Sequence, residues 1–204
     1  HGGTGDQWEW GSPGIGDPEN PGPSTTPDGD KCYGSPLNGT YGEGTISYLL
    51  IEDIEVDQYI DIQFSYLIWF DLELLDDERN GSGEGNSMDH LLVQIEMDNG
   101  NWRTVLNYSG DSDGQWKEEI IDISFFDGDL LNIRFLLVYH VDGRVDNGVF
   151  LDAFTISGVL RPMVSIELVD DPLVYTSIPV GEVTKVHYHI SNQGRIIPGD
   201  SYMD

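Results

Sequence analysis

The chain has 204 residues, 38% hydrophobic and 11% aromatic, which supplies a packed core and excludes a chain too polar to fold. Its 9 Lys and Arg against 37 Asp and Glu leave a net charge of −28, a field that repels nucleic acid and anionic lipid headgroups and argues against DNA or RNA as a partner. No stretch approaches the roughly 18 apolar residues of a membrane span, and the single cysteine, Cys32, excludes an intrachain disulfide.

No basic-then-apolar leader opens the chain, so the expectation is a soluble protein, either intracellular or already processed. The first strand carries two carboxylates, Asp6 and Glu9. His1 has no second histidine beside it with which to clamp copper. Residues 11–44 are crowded with Gly, Pro, Ser, Thr and Asp, which excludes helix and marks a long irregular loop of the covering or functional kind. Within it, Cys32 reads as a small buried hydrophobe. Asn38, Asn80 and Asn107 each open an N-glycosylation acceptor pattern, an excess over chance that favours a secreted chain.

From residue 45 onward, apolar runs alternate with turn signals at 45–56, 59–74, 89–98, 102–108, 116–124, 130–141 and 149–157. No helical period survives, so an all-β antiparallel sandwich or barrel is expected. In 59–74, Ile60, Ile62, Phe64, Tyr66, Ile68 and Phe70 share one face. On the other face Asp61, Gln63 and Ser65 give way to Leu67 and Trp69, so it is wet first and covered later. In the 91–108 hairpin, Leu91, Val93, Ile95 and Met97 share a face, and Asn99-Gly100 is expected to supply the positive φ angles of a two-residue turn. The Asp-Ser-Asp-Gly run at 111–114 and the Asp-Gly-Asp runs at 28–30 and 127–129 look like fragments of calcium loops, yet turn chemistry explains them adequately.

Residues 148–158 read as a strand in which Val149, Leu151 and Ala153 alternate with Phe150, Phe154 and Ile156, with Asp152 on the Phe150 side. An unpaired buried carboxylate costs several kcal/mol, so Asp152 needs a partner. Arg161-Pro162 then punctuates the pattern, placing a boundary near residue 160 and dividing the chain into 1–160 and 161–204. Two more strands are expected at 163–169 and 182–190, too little chain for an independent sandwich, so the second domain is incomplete. His187 and His189 share a strand face but lack a third zinc ligand and read as a structural pair.

Taken in order, "DQWEWGSP", "KCYGSPLNGTY", "FDLELL", "MDHLLVQIEMDNGNW", "FFDGDLLNIRFLLVY" and "GVFLDAFTISG" resemble the successive blocks of MAM-like jelly-roll modules over residues 5–158. Such modules occur in the non-catalytic regions of immune-inhibitor-A-type metalloproteases and in choice-of-anchor and cleaved-adhesin domains. Cys32-Tyr33-Gly34 stands where an apolar residue, Trp and Gly are usual in such modules, and Gly148-Val149-Phe150 replaces the usual Gly-Trp-Tyr before the Asp. The segment "MVSIELVDDP" with "IPVGEVTKVHYHISNQG" looks like the opening of an immunoglobulin-like CARDB-type module.

The resemblance implies an antiparallel jelly-roll β-sandwich followed by a partial immunoglobulin-like domain. It also implies a structural calcium near the end of the last jelly-roll strand. Asp71 and Glu73 lie on one strand face and Asp89 opens the neighbouring strand, and with Asp152 they form the expected ligand set, with Asp6 and Glu9 of the first strand as the next candidates. The alternative leaves Asp71 and Glu73 solvated and pairs Asp152 with Arg134 or with backbone N–H groups. Trp8, Trp10, Trp69, Trp102 and Trp116 read as core rather than sugar platforms. No catalytic motif is present.

The resulting expectation is a non-catalytic structural or adhesive module, extracellular or at the cell surface, stabilised by calcium. Its partners are other extracellular domains, glycans or copies of itself in a filament, since the incomplete second domain leaves sheet edges open. Two alternatives stand beside it: an accessory domain of a secreted protease, and a carbohydrate-binding module.

Overall fold

The computed structural model describes residues 1–14, 22–38, 40–42, 44–72, 89–126, 128–140, 146–161, 164–168, 188–192 and 201–203, the last three segments as backbone strands. Strands alone form the regular structure among these residues. They are β1 (Gly2–Thr4), β2 (Glu9–Gly11), β3 (Cys32–Ser35), β4 (Ile46–Glu55), β5 (Tyr59–Asp71), β6 (His90–Glu96) and β7 (Trp102–Tyr108). Then come β8 (Lys117–Asp122), β9 (Leu130–Val138), β10 (Gly148–Leu160), β11 (Val164–Leu168), β12 (Tyr188–Asn192) and β13 (Ser201–Met203). The seven expected runs from 45 to 157 correspond to β4 through β10.

The chain divides into two compact units, one of residues 1–57 and 61–158, the other of residues 58–60 and 159–204. In the first unit, one sheet has the order β1-β4-β9-β6-β7 and the other the order β2-β3-β10-β5-β8. The pairings are antiparallel, with β4 and β6 flanking β9 in one sheet and β3 beside β10 in the other. This is a β-sandwich. In the second unit β11, β12 and β13 form an antiparallel sheet in that order.

The core between the two sheets follows from the period of two. On β9, Leu131, Ile133, Phe135 and Leu137 are fully buried while Asn132, Arg134, Leu136 and Val138 are half-buried on the opposite side. β5 contributes Ile62, Phe64, Tyr66, Ile68 and Phe70, and β6 contributes Leu91, Val93 and Ile95. Ile60, expected on the same face, is exposed, because Asp61 adopts φ 53° and turns the strand just before the core begins.

Two further positive φ angles reset the alternation. On β4 the register with β9 shifts between Ile51 and Ile54, Asp53 sits at φ 57°, and both isoleucines pack on the core. On β10 Ala153 sits at φ 53°, so Val149 and Leu151 point inward before it and Phe154 and Ile156 point inward after it. The expectation that Phe150, Phe154 and Ile156 share a face is therefore corrected. Phe150 and Asp152 lie on the outer side, because one extra residue in a strand exchanges its two faces.

Part of that outer side of the second sheet is covered. Cys32, Leu37, Trp69 and Phe150 form a separate apolar cluster with Trp116 packed on it. The long loop is also less irregular than expected, since it contains β3. Its residues 22–31 are tied down where Trp116 donates its indole N–H to the Thr25 carbonyl at 2.9 Å. On β5 the outer face passes from exposed Gln63 through half-buried Ser65 and Leu67 to buried Trp69, as expected from its composition.

The 97–101 turn is corrected in detail. Only Gly100 has positive φ, at 76°, and its N–H donates to the Met97 carbonyl at 2.7 Å. This is a type I turn closed by a glycine in the left-handed region rather than a two-residue turn with both φ positive. A left-handed asparagine costs more than a left-handed glycine, and the longer loop avoids that cost.

Candidate functional site

The expected metal ligands occupy different surroundings, and Asp71, Asp89 and Asp152 do not form one cluster. Asp152 is 5% exposed, and its oxygens accept the Asp28 N–H at 3.0 Å and the Ala153 N–H at 2.8 Å. Asp89 is buried at the start of β6, where it accepts the Tyr41 hydroxyl and the His140 N–H, the latter at 2.8 Å. Burial first, then this bond to Asp89, pushes the Tyr41 phenol well above its ordinary value. Asp71 ends β5, accepts a hydrogen bond from the Asn147 amide, and stands opposite Asp111 in a β-bridge.

Glu73 lies outside the described residues. Among those described, no three His, Cys, Asp or Glu side chains gather in the manner of a metal site. Arg134, the other suggested partner of Asp152, points from β9 on the other sheet and donates instead to Gln94 at 2.7 Å. Asp6 accepts from the His1 ring and from the Trp8 N–H, and Glu9 accepts the Leu37 N–H at 3.3 Å. Asn38 and Asn107 are exposed, and Asn80 lies outside the described residues.

A different set of side chains converges on the outer face of the first sheet. Strand register places Leu50, Arg134, Gln94 and Thr104 in one row across β4, β9, β6 and β7. Tyr48, Leu136, Leu92 and Asn107 form the adjacent row. Within the first row, Arg134 donates through Nε to the Gln94 carbonyl oxygen, and Gln94 donates through Nε2 to Thr104 Oγ1 at 2.9 Å. The Arg134 guanidinium lies 4.1 Å from the centroid of Trp102.

Beyond it, Asn132 donates to Glu96 at 2.8 Å and accepts the Asp53 N–H at 2.7 Å. A depression of about 210 Å³ lined by Glu96, Met97, Asp98, Gly100, Leu130 and Asn132 continues the face at this end. At the other end His90 meets Asn107 at 3.2 Å.

Both ends of the Gln94 amide are therefore used, and the side chain is 8% exposed. It fixes Arg134 and Thr104 in a single geometry. Burial pulls Arg134 below its ordinary value, while the Glu96 and Tyr48 charges oppose that shift, and the guanidinium remains a cation. No acidic group lies within ion-pair distance of Arg134 among the described residues. Sequence reasoning missed this ladder because its members are spread over three strands and share no local motif. The alternation on β9 signals that Arg134 faces away from the core, but not what it meets.

The expectation for the tryptophans holds for Trp8 and Trp69, which are buried. It fails for Trp10, which is 55% exposed on edge strand β2 with Tyr33 at 4.7 Å between ring centroids. Tyr59 and Phe125 are exposed as well, on β5 and in the turn after β8, so the exposed aromatics described do not line up on one sheet face.

No family model matches the chain. It is similar to Bacillopeptidase F of Bacillus subtilis (strain 168), with 29% identity over 135 residues, which is 66% of this chain and 8% of that protein. The chain thus corresponds to a small fraction of the length of the relative it matches. Among solved structures it is similar to TmCBM61 in complex with β-1,4-galactotriose, at 13% identity over 77% of this chain and 92% of that one with a TM-score of 0.45. It is also similar to a family 16 carbohydrate-binding module, at 12% identity over 67% of this chain and 82% of that one with a TM-score of 0.32.

Proposed function

We propose that this chain is a non-catalytic accessory module of a larger extracellular protein, of the kind carried by a secreted protease, and that it works through binding. The supporting observation is the match to 8% of Bacillopeptidase F, which has the proportions of one module within a long multidomain polypeptide. A module of this kind needs a stable frame and a presented surface. The sandwich provides the first through a core shared by both sheets, and the outer face of the first sheet provides the second.

Calcium stabilisation belongs to the same proposal. Asp71 and Asp111 face each other across a bridge in which Leu72 donates to the Gly110 carbonyl and Ser112 to the Phe70 carbonyl, each at 2.8 Å. Such a non-hydrogen-bonded pair brings side chains close, and two opposed carboxylates are hard oxygen donors of the type calcium takes. Asp89 and Asp152 fit such an ion less well, since both oxygens of each already accept a protein N–H or O–H group, whereas Asp71 accepts only the Asn147 amide and Asp111 only the Asp113 N–H among the described residues.

Fractionating the producing cells and assaying the isolated chain tests the reading. The protein is expected in the medium or at the cell surface and inert towards peptide, ester and glycoside substrates. A cytoplasmic location or turnover of any of these substrates overturns it.

A further inference from the structure

We infer that the outer face of the first sheet is a binding site for a neutral oligosaccharide, with Arg134 as its principal hydrogen-bond donor. The inference rests on the reading of the chain as a non-catalytic module and assigns the ligand class to its presented face. Arg134 Nε is held by Gln94 and the plane lies over Trp102, yet no protein acceptor takes the terminal Nη groups among the described residues. A planar fork with both Nη groups free is made to meet two neighbouring oxygens on a ligand.

Gln94 supplies the preorganisation. Because its amide is engaged at both ends, by Arg134 and Thr104, the donors do not have to be ordered when a ligand arrives, which removes a cost that flexible surface side chains carry. Half-buried Leu92 and Leu136 in the adjacent row give an apolar floor beside these polar groups. A pyranose ring has that same division, with hydroxyl pairs at its rim and C–H bonds on its faces. Four strands at about 4.8 Å spacing make the face about 14 Å across, room for more than one ring.

Charge chooses among ligands that share this chemistry. A carboxylate or phosphate would also suit the Arg134 fork, but a polyanion must approach a chain of net charge −28. A cationic peptide gains from that field but meets Arg134 at the centre of the face. A neutral polyhydroxyl ligand satisfies the fork and has no long-range repulsion to overcome.

Calorimetric titration with neutral gluco-, galacto-, manno- and xylo-oligosaccharides, alongside oligogalacturonate and a lysine-rich peptide, tests this. At least one neutral series should bind, and Arg134→Lys, which keeps the charge but loses the fork, should weaken it by about tenfold with little change in Tm. Should Arg134→Lys fail to fold, exposed Thr104→Val takes its place, and a loss of about threefold or more supports the site. The inference is overturned if folded protein binds no neutral series, if oligogalacturonate or the peptide is preferred, or if the variant that folds binds as the parent does. Cleavage of a bound sugar, with binding lost in Arg134→Lys, supports the face and overturns the non-catalytic reading, so the two fail separately.

Discussion

Asp152 illustrates how backbone donors hold a buried carboxylate. Two backbone N–H groups, from Asp28 and Ala153, aim at its two oxygens, and the first ties the 22–31 segment onto β10. Asp152→Ala should therefore cost about 1–3 kcal/mol by removing the charged acceptor of these two part-buried hydrogen bonds, and Asp152→Asn, which keeps one acceptor, should cost less. Chemical denaturation of the two variants measures the difference.

Cys32 lies beside it, and burial first, then the Asp152 charge, pushes the thiol up to about 12 from 9.0. A folded value raised above the unfolded one means a contribution complete below pH 9.0 and lost as the pH climbs towards about 12. Tyr41, Tyr66 and Tyr139 are raised in the same direction by burial, so they steepen the same alkaline limb. Stability measured against pH should be flat from neutrality to about 9 and fall above it, and Cys32→Ala should make that fall shallower. A thiol reagent at neutral pH should label Cys32 only as the protein unfolds.

At the scale of the element, single backbone positions decide which strands pair. Gly148 opens β10 at φ 85°, and a Cβ there would stand 2.0 Å from the Ser35 carbonyl oxygen. Gly148→Ala must push β3 away from β10, and its cost should exceed about 3 kcal/mol. Gly100 has a similar φ of 76° but open space where its Cβ would be, so Gly100→Ala should cost only the about 1–2 kcal/mol of a left-handed non-glycine residue. Thermal melts of the two variants separate steric collision from backbone strain. The bulge at Ala153 acts at this scale too, since it gives Phe150 and Asp152 to the covering segment while returning Phe154 and Ile156 to the core.

For the whole molecule the dominant long-range term is self-repulsion at a net charge of −28. Screening relieves it, so Tm should rise between about 0.01 M and about 0.5 M monovalent salt. Calcium at constant ionic strength separates binding from screening. With calcium held at Asp71 and Asp111, Tm should rise further with calcium, fall in chelator, and respond less to calcium in Asp71→Asn. Equal Tm in calcium and chelator at matched ionic strength removes the calcium component.

The periodicity of apolar residues determined by itself that the chain is all-β and where β4 to β10 run, because alternation between core and solvent is imposed at every second residue of a half-buried strand. The covered end of β5 was legible for the same reason, as Leu67 and Trp69 replaced Gln63 and Ser65 on its outer face. Short β3 within the glycine- and proline-rich segment was not legible, because three or four residues carry too little period to stand out from a loop. The shared face assigned to Phe150, Phe154 and Ile156 failed at one left-handed residue, Ala153, whose side chain gives no sign of its φ. Sequence also placed Asp71, Asp89 and Asp152 as candidates without showing that each has a separate set of donors. Only the tertiary structure decided that Arg134, Gln94 and Thr104 form one row, because strand order and register bring together residues from β9, β6 and β7 that no local spacing connects.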